Sequence, residues 1–226
     1  MALSSYTVTI TKMCNWALTA AGARNRIIDI DNPTAEELQT EEYLLSELFF
    51  WQAVMEALQD ALWVFARDRV AITKDATDPT VGSWKYRLEV PTDSLTVLYQ
   101  IHKDDDEVHY PFKREGDYIL TSTVDSDDKG YILYLKKITD VAKYSPLFVR
   151  AAYVNLAIKF RSNLKGVVEN EEWDLRLQRE YNDIIDKAIE ENNLEGWVQE
   201  GNEDVLEAAE GCGQNGYWKE GKYYRC

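Results

Sequence analysis

The sequence predicts an α+β protein: a four-helix bundle carrying an inserted small antiparallel β-sheet or sandwich, followed by a flexible C-terminal arm. Three observations predict it. Residues 131–138 read as a strand, rich in aromatic and β-branched residues. Within ten residues Pro146 opens an amphipathic helix, with Leu147, Ala151, Val154 and Ile158 at three-and-four spacing. Helical stripes lie on both sides of the strand region in sequence. They can bury themselves only by packing together, which makes the sheet an insertion and not a separate bead.

The elements follow in order. The first helix is predicted over residues 9–21, with Gly22 as its C′ glycine. A connection over 23–31 holds the apolar pair Ile27 and Ile28. Asn32-Pro33-Thr34 should start the second helix, because Thr34 and Glu37 fit a capping box and Pro is tolerated in a first turn. Leu44, Leu48, Trp51, Met55, Leu58, Leu62 and Phe65 step by four and three along it, and Leu45 and Phe49 widen that apolar stripe. Residues 73–83 have loop composition. Five strands are expected over 84–90, 95–102, 107–113, 118–124 and 131–138, with turn residues between them. After the Pro146 helix, Gly166 breaks the chain. A last helix over 170–192 places Trp173, Leu177, Tyr181, Ile184 and Ala188 on one face, and Gly196 follows it. The expected divisions are residues 1–72 with 139–196 for the helices, 73–138 for the sheet, and 197–226 for an extended arm mobile until bound.

Composition narrows the class of function. A hydrophobic content of 45% excludes disorder throughout. No apolar run approaches the ~20 residues that span a bilayer, and the N-terminal run lacks the basic start and apolar core of a secretion signal, so a cytoplasmic origin is expected. Cys14, Cys212 and Cys226 are odd in number and scattered, which is not a disulfide framework; Cys14 falls on the expected buried side of its helix. The net charge of −15 is concentrated: between residues 167 and 210 fifteen acids stand against three bases. Such a segment argues against gripping nucleic acid and suits a surface that DNA passes without adhering.

Candidate chemistry is sparse. His102, Asp104, Asp105, Asp106 and His109 are the densest set of metal-ligand types, but acid-rich hairpin tips are common and a plain turn is expected. Residues 125–130 imitate the start of a calcium loop, yet Lys129 and Lys136 fall where oxygen ligands belong. Paired carboxylates in 167–210 leave open an alternative reading as a carbohydrate-cleaving (cell-wall) hydrolase, which needs two acids at a set separation. No nucleophile elbow, zinc-helix motif or phosphate loop is present. The expectation is therefore a non-enzyme without cofactor or metal.

Five short motifs, in order over about residues 10–195, carry a resemblance. The run containing Cys14, Asn15, Ala17, Leu18, Gly22, Ala23, Asp31, Pro33 and Ala35 comes first, then Trp63, Phe65, Ala66 and Arg69. Pro91, Asp93, Leu95 and Val97 follow, then the hairpin stretch over residues 112–122 with Glu115-Gly116 and Thr121, and finally the Thr139-Asp140 to Pro146-Leu147-Phe148-Val149 helix entry. Together they resemble the podophage tail tubular protein A family, the head-to-tail adaptors. Val64 departs from that pattern, which has Asn there, and Tyr144-Ser145 replaces Phe-Asp.

The resemblance implies a structural virion protein, present in host cytoplasm before assembly. Members form a homo-oligomeric ring, commonly of twelve copies, between the portal protein and the tail nozzle protein, and DNA passes through its lumen. On that footing the aromatic, weakly basic arm (Trp197, Tyr217, Trp218, Tyr223, Tyr224 and Arg225) is the candidate portal-docking segment. Asp104, Asp105, Asp106, Asp127 and Asp128 mark candidate nozzle-contact loops, and Glu180, Asp183, Glu190 and Glu191 candidate lumen or subunit-interface acids.

Overall fold

Thr9 begins the first helix, α1 (Ile10–Ala21), by accepting a hydrogen bond from the Lys12 backbone N–H through its hydroxyl. Gly22 ends it in the left-handed region at φ 83°, returning its own N–H to the last turn. The computed structural model describes residues 7–75, 84–104, 108–124, 129–164, 170–192, 217–219 and 222–224. Over these the protein is mixed α+β. It divides into two compact units, Met1–Ala188 and Ile189–Cys226.

The Thr34–Glu37 box forms, but it does not start the second helix. The Thr34 hydroxyl accepts from Glu37 N–H at 3.2 Å, and the Glu37 carboxylate accepts from Thr34 N–H at 3.0 Å. That carboxylate also accepts from Ile28 N–H at 2.6 Å, so the box clasps the preceding connection and closes only a 3₁₀ turn, Glu37–Gln39. The chain extends at Thr40, whose hydroxyl caps α2 (Glu41–Asp60). α2 then ends five residues before Phe65. The Trp63 indole N–H donates to the Ala57 carbonyl at 2.7 Å, satisfying a last-turn acceptor as the chain folds back.

The face of α2 that meets the core is only partly the expected stripe: Leu58 is in the core and Leu45, Phe49 and Met55 pack against it, but the helix is turned away from the rest. Tyr43, Ser46, Phe50, Ala53, Val54, Ala57 and Leu58 are buried, whereas Leu44, Leu48 and Trp51 are exposed by 51%, 65% and 37%. Small residues decide this, since Ser46, Ala53 and Ala57 let backbones approach closely. Polar groups hold the same face: Asn155 donates to the Ala53 carbonyl and to Glu56, and Lys159 pairs with Glu56 at 2.7 Å. Both residues belong to α3 (Pro146–Asn163), capped by Ser145. α3 is central and not one-sided; Phe148, Val149, Ala151, Ala152, Val154, Leu156, Ala157 and Phe160 are all buried.

α4 (Glu171–Asn192) adds Leu177, Tyr181, Ile184 and Ala188 to the same core, the face expected from sequence. Trp173 Nε1 donates to the Ala20 carbonyl at 3.1 Å, and Arg161 binds both the Ala21 carbonyl and Asp174. The last two carbonyls of α1, those of Ala20 and Ala21, are thus satisfied by α4 and α3 side chains.

Among the described residues between α2 and α3 lie seven strands in two antiparallel sheets. β1 (Arg67–Thr73), β7 (Lys129–Lys136), β3 (Ser94–Ile101) and β4 (His109–Tyr110) form one, in that order. β2 (Tyr86–Glu89), β6 (Tyr118–Thr121) and β5 (Phe112–Glu115) form the other. β1 lies almost wholly within residues 1–72, expected to belong to the helices, and the expected 107–113 strand is two short strands. Ile72, Leu88, Val97, Ile119, Ile132 and Tyr134 make a core between the sheets. On β7 the alternate residue Leu135 turns the other way and joins the helical core. Gly130 permits the sheets to close, because a Cβ there would run into Leu88 Cδ1.

The C-terminal segment, expected as an extended arm, contains an antiparallel pair of strands, β8 (Tyr217–Lys219) and β9 (Lys222–Tyr224), with Tyr217 opposite Tyr224 and Trp218 opposite Tyr223.

Candidate assembly surfaces

Two surfaces of the larger unit stand out once the fold is laid out. The first is a ridge. Leu44, Leu48, Trp51 and Met55 recur at positions i, i+4, i+7 and i+11 along α2, with the first three exposed. Trp51 packs edge-on against buried Phe50, ring centroids 5.1 Å apart, and keeps 37% of its surface exposed. Glu47 borders the ridge, and no Lys or Arg occurs anywhere in α2.

The second is a cleft of about 370 Å³ between α3 and α4. Leu147 and Ile184 supply its apolar lining, and Arg150, Arg176, Arg179 and Lys187 surround it with Glu180 and Asp183. All three bases of the acidic 167–210 segment therefore converge on one face of α4, beside Arg150 from α3. Arg150 donates to Glu180 at 2.7 Å, and that bond, ahead of the burial that opposes it, pushes the guanidinium pKa up. The Arg176 guanidinium lies 5.2 Å from the Trp173 ring, a cation–π distance that holds it at the α4 surface.

The residues singled out from sequence distribute as follows. Glu180 and Asp183 line this predominantly cationic cleft; Glu190 and Glu191 are exposed in the last turn of α4. Asp104 is exposed beyond β3, its backbone N–H donating to His102 Nδ1 at 3.2 Å. His109 stacks on Tyr99 with centroids 4.3 Å apart, and His102 meets the Tyr110 ring edge, so each histidine packs on a tyrosine. Among the described residues no three of His, Cys, Asp and Glu gather as a metal site, and no helix is long and apolar enough to cross a membrane. Asp105, Asp106, Asp127, Asp128, Trp197 and Arg225 lie outside the described residues. Tyr217, Trp218, Tyr223 and Tyr224 lie on the C-terminal hairpin.

The residues that carry the family resemblance hold the fold together. Asn15 bridges α1 to the following connection through both amide atoms, donating to the Ile27 carbonyl at 2.7 Å and accepting from Ile27 N–H at 2.9 Å. Asp93 receives the Tyr134 hydroxyl and the Lys136 ammonium across the sheet. Cys14 is fully buried, and burial pushes its thiol pKa up to about 12 despite a hydrogen bond with Ser46, leaving it a packing residue and not a nucleophile.

No family model matches the chain, and no curated protein matches it. Sequence reasoning found the ridge residues but assigned them to the core. It missed the cleft, although Arg176, Arg179 and Lys187 share one helical face and were the only bases in an acidic segment.

Proposed function

We propose that this chain is a structural adaptor subunit, a member of a homo-oligomeric ring between a portal protein and a tail nozzle, through which DNA passes without specific binding. In this reading its helices act as a four-helix bundle that carries the inserted sheets as a rigid spacer. The observation that carries it is the α2 ridge. Three large apolar side chains on one helical line, all exposed, cost solubility in a lone subunit and suit burial against a neighbour. The ordered motif resemblance supplies the kind of assembly, with twelve copies as its expected number.

The C-terminal hairpin, with its Tyr and Trp residues, is the proposed portal contact. Glu180 and Asp183 belong on this reading to a subunit interface, and Glu190 and Glu191 to the acidic surface that repels passing DNA. The loops at Asp104 and around 127 are left for the nozzle. Sedimentation of the purified chain with portal rings tests the assignment. The full chain should travel with the rings, and a chain lacking residues 211–226 should stay behind while retaining its circular-dichroism spectrum. Retention of the shortened chain on the rings contradicts the arm assignment; failure of the full chain to bind contradicts the adaptor reading.

A further inference from the structure

We propose that residues 23–36, the connection between α1 and α2, form an acid-released strap, latched by the Glu37 carboxylate and able to open while the helical core stays folded. The proposal goes beyond the adaptor reading and does not depend on it.

The strap is held by side chains. Among the described residues no backbone–backbone hydrogen bond ties residues 24–33 to a helix or strand. Asn15 of α1 exchanges two bonds with the Ile27 backbone, and the Thr11 hydroxyl of α1 accepts from Ile30 N–H at 3.2 Å. Asn25 donates to Glu42 of α2 at 2.8 Å. Glu37 closes the middle, accepting from Ile28 N–H at 2.6 Å and from the N–H and hydroxyl of Thr34, both at 3.0 Å. Ile27 is the one buried apolar residue of 23–36, and its neighbour Ile28 is 78% exposed. A segment with one apolar anchor and so few backbone bonds opens at a lower free energy than α3, which is buried along its length from Phe148 to Phe160.

The latch is titratable. Glu37 is 8% exposed, and among the described residues no Lys or Arg pairs with it; N–H and O–H donors hold its charge. A charged acceptor makes stronger hydrogen bonds than a neutral one, and a protonated carboxyl adds a donor where donors already converge. The groups around it are Asp29 and Asp31 in the strap, Tyr43 of α2 with Glu47 beside it, and Cys14 of α1, which lies near Asp31. Burial raises the pKa of both Tyr43 and Cys14, so neither carries charge in acid. Negative charge on Asp29 and Asp31 repels ionised Glu37, and protonation of Glu42 would weaken the Asn25 bond; both effects favour opening. Backbone bonds from Thr34 and Ile28 keep the Glu37 pKa below the ordinary 4.5. The strap is therefore closed at neutral pH and is released as pH falls through that lowered value.

Hydrogen–deuterium exchange of the full chain, read by mass spectrometry at pH 7 and pH 3 and corrected for intrinsic rates, tests this. Protection over residues 27–34 should fall by at least about tenfold more than protection over α3. Glu37→Gln keeps an acceptor oxygen without the charge, and should show the opened level already at pH 7. Glu56→Gln, which weakens the link between α2 and α3 instead, should leave strap protection at pH 7 at the wild-type level. Equal losses over the strap and α3, or no loss over the strap, would overturn the proposal. So would wild-type strap protection in Glu37→Gln, or an equal strap loss in Glu56→Gln. Global unfolding of Glu37→Gln at pH 7 would overturn it too, because the strap would then be part of the core.

Discussion

Glu37 and Glu56 show how single carboxylates organise this fold. Backbone N–H groups of Thr34 and Ile28 bind the Glu37 carboxylate and lower its pKa from the ordinary 4.5. Burial alone would raise Glu56, but hydrogen bonds from Lys159, Asn155 and Gln52 outweigh it, and its pKa is lowered too. A carboxyl whose folded pKa is depressed stabilises the fold above its unfolded pKa, and that contribution disappears as pH falls through the folded value. The thermal midpoint of the wild type should therefore fall more steeply below pH 4.5 than that of Glu37→Gln or Glu56→Gln, measured by calorimetry from pH 7 to pH 3. Parallel curves for wild type and variants would show that neither clasp is linked to folding. At this scale the sequence was informative about the Thr34–Glu37 pairing and silent about its target. A capping box specifies a local hydrogen-bond exchange; the third bond, from Ile28, depends on a connection folding back that no local pattern encodes.

At the scale of elements, periodicity located α1, α3 and α4 to within a residue or two, because caps at Thr9, Ser145 and Gly22 are local chemistry. It failed on the orientation of α2. An apolar stripe shows that some surface must cover the helix, not whether that surface belongs to the same chain. The buried side of α2 is marked instead by Ser46, Ala53 and Ala57, whose value is small size, which a search for large apolar residues overlooks. β1 escaped notice for a related reason. Its alternation of Arg69, Val70, Ala71 and Ile72 is short and charged at one end, and seven successive register pairs with β7, from Arg67 to Thr73, define it. The rotation of α2, which buries Leu58 and leaves Leu48 exposed, predicts a contrast within one helix. Leu58→Ala, at a fully buried position, should cost about 2–5 kcal/mol in urea unfolding. Leu48→Ala should change stability by no more than about 0.5 kcal/mol. Equal losses would mean that the ridge is covered within the monomer.

For the whole molecule, the organisation is a helical core and a two-sheet core meeting along β7, which sends Ile132 to one and Leu135 to the other. One strand thus transmits position between the layers, as a rigid spacer requires. A Cβ at Gly130 would run into the buried Leu88 side chain of the facing sheet, and Gly130→Ala should cost about 1–3 kcal/mol in urea unfolding. What sequence could not show at this scale is which charges gather. The α4 bases were visible as exceptions in an acidic run, but their meeting with Arg150 depends on α3 and α4 lying side by side. The central claim is that this assembly of layers is a subunit of a ring set on a portal. Electron cryomicroscopy of the purified chain mixed with portal rings tests it most directly. The account predicts a closed annulus of copies stacked on the portal, open along its axis, with every α2 ridge buried at a subunit boundary. Portal rings imaged bare beside free single subunits would contradict it.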